Sequence, residues 1–178
     1  MKTLAIERSV LSFGACHDGA WAEKLDLDGV GRIVVGTGPG SFAGVRSAIA
    51  FAQGYALGRQ CEVLGLTSAA ALAEAGAQRA VVGDARQGKF WIALFDGFKL
   101  ITPVFQVDGD TLEKRVPRNM QVVSPDHGRI GDKLKELFLE RYLGEAIPDA
   151  AGLLRAAEAN PALLAPDPVP IYLNPAVR

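Results

Sequence analysis

Arg32-Ile33-Val34-Val35-Gly36-Thr37-Gly38-Pro39-Gly40-Ser41-Phe42-Ala43-Gly44-Val45-Arg46 runs from an apolar, β-branched segment through a turn of glycine and proline into a stretch with helical character that continues to Leu57. The run from Ile33 to Val35 has no polar alternation, so it reads as a strand covered on both faces. Gly38 and Gly40 allow backbone conformations closed to other residues, and Ser41 is placed to cap the helix. Strand, tight turn and helix in that order form the unit from which parallel sheets are built. The unit recurs: Cys61 to Leu66 reads as a strand and Ser68 to Ala75 as a helix, with Thr67 or Ser68 as N-cap and Gly76 as the stop.

Upstream, Thr3 to Glu7, Val10 to Cys16 and Trp21 to Leu27 read as a meander, with His17-Asp18-Gly19 as a turn. Downstream, Arg79 to Phe95 reads as two strands joined through Asp84-Ala85-Arg86-Gln87-Gly88, and Lys99 to Val107 as a third. A second lobe is expected to begin there, dividing the chain into residues 1–78 and a smaller α/β lobe of residues 79–178. Asp110 to Arg115 and Ile130 to Tyr142 read as helices, the latter with Ile130, Leu134, Leu137 and Phe138 on one face. Asp149 is placed to cap another helix, running to Asn160-Pro161, and Pro166 to Leu173 reads as an extended tail laid over the domain.

With 49% hydrophobic and 22% charged residues among 178, the chain has the composition of a folded domain, and no apolar run is long enough to span a membrane. Met1 to Glu7 alternates and meets an acid at its seventh position, which leaves no secretory signal in view; a cytoplasmic location is expected. The formal charge of -1, with scattered lysines and arginines, lacks the footprint of a protein that grips nucleic acid by itself. Cys16 and Cys61 sit in apolar segments, where a reduced thiol behaves as a small hydrophobe.

Gly38-Pro39-Gly40-Ser41-Phe42-Ala43-Gly44-Val45-Arg46 resembles the signature loop of the TsaB (YeaZ) family, in which Thr is common at the place of Ala43. The opening Leu4-Ala5-Ile6, the segment Ala52 to Gly58, Asp84 to Trp91 and the closing Pro170-Ile171-Tyr172-Leu173 are similar to family segments in the same order. The resemblance implies an α/β chain of the actin-like, Hsp70-like ATPase fold, with a ribonuclease-H-like N-terminal lobe and a reduced second lobe. It also implies a noncatalytic subunit in the synthesis of N6-threonylcarbamoyladenosine in tRNA, supporting a TsaD-like catalytic subunit beside a TsaE-like ATPase. On that reading a homodimer is a further possible assembly, and tRNA is reached only through the complex. No cofactor is required by this chain alone, and ATP enters, if at all, with the partners.

Two departures bear on what carries over. Relatives have Asp followed by Thr or Ser after the first strand, whereas this chain has Glu7-Arg8-Ser9, so no phosphate or metal contact is transferred to that turn. Relatives also have a helix between the third and fourth strands. Here only Asp28-Gly29-Val30-Gly31 separates Leu27 from Arg32, while a parallel crossover takes about a dozen residues, so the sheet is expected to be shortened or rearranged there.

The candidate anion- or nucleotide-binding residues are Gly38, Gly40, Ser41 and Arg46 around the loop, and Asp84 and Arg86 in the second lobe. Free amides beyond Ser41 suit an anion, and a tight turn that caps a helix without a ligand is the competing reading. The loop is not Walker A, because no Gly-Lys-Ser/Thr follows, and not the dinucleotide fingerprint, because three residues separate Gly40 from Gly44. Asp84 either projects toward a ligand or fixes its turn with Arg86 paired to it. Ser41 has no base beside it in sequence, and no catalytic residue is assigned. His17 and His127 are far apart and belong to no zinc motif, which argues against a metalloprotease and against a metal site. A same-fold ATPase or phosphotransferase is the alternative function.

The helix after the loop carries two stripes. Phe42, Val45, Ile49, Ala52 and Ala56 are expected to face the sheet, and Ala43, Ser47, Ala50 and Gly54, all small, lie on the other side. Small residues let a second helix approach closely, so these four are the candidate interface.

Overall fold

The structure is a computed structural model and describes residues 2–10, 14–17, 20–21 and 27–173. Along the chain come β1 (Lys2–Glu7), β2 (Gly14–His17), β3 (Ala20–Trp21), β4 (Val30–Gly36), α1 (Phe42–Arg59) and β5 (Glu62–Leu66). They are followed by β6 (Gln78–Arg86), β7 (Lys89–Asp96), β8 (Lys99–Leu100), β9 (Phe105–Asp108), α2 (Leu112–Arg115), β10 (Gln121–Ser124), α3 (His127–Phe138) and β11 (Tyr142–Glu145). α4 (Ala150–Ala159) and β12 (Ala165–Pro166) complete the order.

Two compact units result, Met1–Ala71 with Pro148–Ile171, and Leu72–Ile147 with Tyr172–Arg178. The single expected boundary at 78/79 is therefore corrected: the chain returns to the first unit at Pro148. The reason is packing, because Ala150 and Leu154 of α4 close on Ala5 of β1.

The first unit is a sheet in the order β12-β5-β4-β1-β2-β3. β1 pairs parallel with β4, and β4 with β5, while β2 runs antiparallel to β1. Alternate residues of β1 point to opposite faces. Leu4 and Ile6 meet Val45, Ala48, Ile49 and Ala52 of α1, while Ala5 meets α4. This two-sided burial accounts for the apolar run without alternation. Of the expected sheet-facing stripe, Val45, Ile49 and Ala52 are buried and Ala56 is partly buried. Phe42 is the exception at 60% exposure. It is the first helical residue, and its side chain leans back toward the helix start. Ala43, Ser47, Ala50 and Gly54 are all exposed.

Of the expected meander, Gly14–His17 and Ala20–Trp21 are strands, and residues 11–13, 18–19 and 22–26 lie outside the described residues. β4 already begins at Val30 and sits directly beside β1, and the Leu27 carbonyl is held by the Tyr55 hydroxyl of α1 at 2.5 Å. Ser68 to Ala75 is not an α-helix but a 3-10 turn over Ser68–Leu72. Its two expected caps are diverted, since Thr67 Oγ1 donates to Gly38 O and Ser68 Oγ accepts from Gly38 N.

The second unit has the order β11-β10-β6-β7-β8, with β9 also paired to β7. The β6–β7 hairpin turns through Arg86, Gln87 and Gly88, at φ of 68°, 52° and 74°. β10 lies parallel to both β6 and β11, with α3 as the crossover between β10 and β11. The amphipathic reading of α3 matches its packing, because Ile130, Leu134, Leu137 and Phe138 all join the core of this unit. Three expectations are corrected here. The segment Lys99 to Val107 breaks into β8 and β9 around Pro103, which has no N–H to pair. α2 is a single turn. α3 ends at Phe138, and Tyr142 opens a strand that buries its ring.

Candidate functional site

The loop after β4 is fastened to four other parts of its own unit. Thr37 donates twice to Leu66 O, from N at 2.8 Å and from Oγ1 at 3.1 Å. Gly38 N donates to Ser68 Oγ at 3.0 Å, and Gly38 O accepts from Ser68 N at 2.8 Å and Thr67 Oγ1 at 2.9 Å. Ser41 N donates to Ser9 O at 2.5 Å, and Ile171 N of the tail donates to Thr37 O at 2.8 Å. Ser41 caps α1, its Oγ accepting from Gly44 N at 3.2 Å and its carbonyl from Val45 N at 2.9 Å. The amides of Gly38, Ser41 and Gly44 are thus taken up by protein oxygens.

The glycines have a local explanation. A Cβ at Gly40 would fall under 3.0 Å from the Ser9 carbonyl, one at Gly44 as close to the Arg8 carbonyl, and one at Gly36 as close to the Glu7 carboxyl. Together they form a cradle filled by residues 7–9. The carboxyl ends of β1, β4 and β5, where open α/β sheets bind ligands, are therefore occupied by the chain itself. Glu7 is 1% exposed, and burial holds its carboxyl above the ordinary value of 4.5. Arg46 is not brought to the loop amides, because its guanidinium lies 4.9 Å over the Phe42 ring on the exposed side of α1.

Asp84 and Arg86 meet in the second unit. Asp84 Oδ1 accepts from Arg86 N at 2.8 Å, which fixes the hairpin turn, and Oδ2 faces Arg86 Nη1 at 3.5 Å. The same Oδ2 lies 3.2 Å from Arg129 Nε. Asp126 Oδ2 accepts from Asp84 N at 2.9 Å, and Asp126 Oδ1 pairs with Arg129 Nη2. Beside them His127 Nδ1 lies 2.8 Å from the Tyr142 hydroxyl. Burial, and then the charge of Glu145, push that phenol up. Asp126 and Arg129 were missed in the sequence reading, although an Asp just before a helix is a start signal. Asp126→Ala leaves the Asp84 amide without its acceptor and Arg129 with Asp84 as its remaining carboxylate, and is expected to cost about 1–3 kcal/mol, read as a lower urea midpoint. Unchanged unfolding would mean that this cluster is not what ties β6 to the start of α3.

Among the described residues no group of three His, Cys, Asp or Glu is arranged to hold a metal ion. Cys61 is a buried free thiol whose ionisation burial pushes up, as befits a packing residue rather than a nucleophile. Among the described residues no helix is long and apolar enough to cross a membrane.

The family model for TsaD, tRNA N6-adenosine threonylcarbamoyltransferase, matches residues 14–114, more than half of the chain. The chain belongs to the TsaD family. Its fold is shared with YeaZ from Pseudomonas aeruginosa at a TM-score of 0.74 and 20% identity, over 96% of this chain and 100% of that one. A second solved structure, an uncharacterized protein with similarity to peptidase YeaZ, also from Pseudomonas aeruginosa, gives 0.68 and 21%, over 97% and 99%. No curated protein matches the chain. The fold is accordingly the α/β fold of the actin-like and Hsp70-like ATPases, as the signature loop implied.

Proposed function

We propose that this chain is a noncatalytic subunit in the synthesis of N6-threonylcarbamoyladenosine in tRNA, working in the cytoplasm and supporting threonylcarbamoyl transfer by a TsaD-like partner. Membership of the TsaD family supplies the process. The observation that carries the noncatalytic reading is the signature loop, whose Gly38, Ser41 and Gly44 amides bond to the chain's own oxygens. This role requires no cofactor of the chain alone, and ATP enters with the partners.

The exposed side of α1 supports docking of that partner. Ala43, Ser47, Ala50 and Gly54 form a low surface there, flanked by Phe51 at 42% and Leu57 at 90% exposure. A glycine inside an exposed helix costs about 1 kcal/mol relative to alanine. Gly54 and Gly58 have nothing within 4 Å of a would-be Cβ, so no contact within the described residues asks for glycine at either place. A helix of the TsaD-like subunit packed closely against them would. A second copy of this chain is the other occupant of the same face, a TsaE-like ATPase joins through the assembled complex, and tRNA is reached only through that complex.

Deletion of the gene, followed by mass spectrometry of tRNA nucleosides, tests the reading: threonylcarbamoyladenosine is expected to disappear, and unchanged levels would refute it. ATP turnover by the purified chain alone would instead support the same-fold ATPase or phosphotransferase.

A further inference from the structure

Glu7 ends β1 with a carboxyl that is almost wholly buried, and no ion pair among the described residues reaches it. Oε1 accepts from Ser9 N at 2.6 Å. Oε2 lies against Gly36, and neither it nor the buried Ser9 Oγ completes a hydrogen bond of ordinary geometry; the Ser9 and Ser68 hydroxyls and the Arg8 amide beside the carboxyl favour its charged form, but burial outweighs them. Among the described residues, the elements packed around Glu7 supply no compensating charge. Arg8 turns its guanidinium to Ser47 Oγ of α1, at 3.3 Å. β4 presents Gly36, and its Arg32 pairs with Glu62 near the opposite end of the strands. β2 opposes Glu7 with Gly14, and the 3-10 turn contributes the uncharged Ser68. On α4, Asp149 caps Gly152 N, and Arg155 and Glu158 are exposed; on α1, Arg46 lies over Phe42 and Arg59 over Tyr55.

A carboxylate without a counter-charge in such a place is strongly disfavoured against one in water, so ionisation favours any motion that solvates it. The nearest movable piece is residues 8–9, which the carboxyl itself holds through Ser9 N. Ser9 O in turn accepts the amide of Ser41, the N-cap of α1. We propose that Glu7 is a proton-operated latch: as the neutral acid it holds residues 8–9 in the cradle of Gly36, Gly40 and Gly44, and on ionisation it releases them and loosens the first turn of α1.

The sign follows from burial. The closed state keeps a proton that the open state gives up above about the ordinary carboxylate value of 4.5. Closure is therefore complete below that pH and is lost as pH rises toward the higher value of the buried acid, the opening constant growing by up to about tenfold per pH unit in between. Hydrogen exchange by mass spectrometry, corrected for intrinsic rates between pH 5 and 8, tests this on the wild type and Glu7→Gln. The amide side chain keeps an oxygen for Ser9 N and cannot ionise. In the wild type, protection of residues 36–46 is expected to fall across the range, while in Glu7→Gln it stays level. Residues 89–96 of the second unit are expected to behave alike in both. Parallel curves at 36–46, an equal loss at 89–96, or failure of Glu7→Gln to fold would each overturn the latch.

Discussion

Gly40→Ala is expected to destabilise the protein by about 2–4 kcal/mol, while Gly54→Ala leaves stability unchanged or raises it by up to about 1 kcal/mol. Both replacements add one methyl group, so the contrast isolates what surrounds it. At Gly40 the new carbon falls under 3.0 Å from the Ser9 carbonyl, a backbone atom that no rotamer change removes. Either α1 or residues 8–9 must shift, and the bonds from Ser41 N to Ser9 O and from Ser9 N to Glu7 go with them. Overpacking of this kind costs about 1–3 kcal/mol, and a lost hydrogen bond about 1 more. At Gly54 nothing lies within 4 Å, and alanine is the better helix former. For a chain of this size each kcal/mol moves the melting temperature by about 2–4 °C, so Gly40→Ala should melt about 5–15 °C lower in calorimetry. Equal melting of the two variants would show that the cradle does not constrain the loop.

The loop was legible because each of its features is local. A β-branched run, glycines at a turn and a serine before an apolar period announce strand, turn and capped helix without reference to the rest of the chain, and Asp149 announced α4 in the same way. Tertiary contacts hid the remainder. Thr67 and Ser68 read as helix caps, but their hydroxyls serve Gly38 across the loop, and the helix they would have started is a single 3-10 turn. Phe42 has the spacing of the buried stripe, yet it stands at the helix start and is exposed. Tyr142 continues the apolar period of α3, and only its pairing with Val122 makes it the first residue of β11. The return of residues 148–171 to the first unit depends on an alanine contact with Ala5, which no periodicity encodes.

The candidate site divides along the same line. Gly38 and Gly40 read as turn glycines, whereas the room that Gly36, Gly40 and Gly44 make is for the backbone and carboxyl of residues 7–9, far away in sequence. Asp84 with Arg86 is a turn visible in the sequence, whereas Asp126 and Arg129 join it only because β10 runs parallel to β6. The small stripe of α1 was readable because its period is that of the helix itself, and its exposure is a consequence of Val45, Ala48, Ile49 and Ala52 taking the sheet.

Ala50→Arg is expected to weaken association with a TsaD-like subunit by at least about 100-fold while leaving the fold intact. Ala50 is exposed at the middle of the stripe, and arginine is a good helix former, so the monomer has no reason to change. In a close helix pair, by contrast, the long charged side chain meets a surface built for methyl groups and hydrogens, and neither helix can come as near. Circular dichroism separates the two effects, and Leu143→Arg, an exposed leucine of the second unit, is the control that changes charge elsewhere.

If this chain acts through its α1 face as a partner of a TsaD-like subunit, sedimentation velocity of the two proteins mixed shows it. The wild type and Leu143→Arg are expected to co-sediment with the subunit, and Ala50→Arg, with an unchanged circular dichroism spectrum, to sediment apart from it. Co-sedimentation of a folded Ala50→Arg with wild-type affinity would contradict that role.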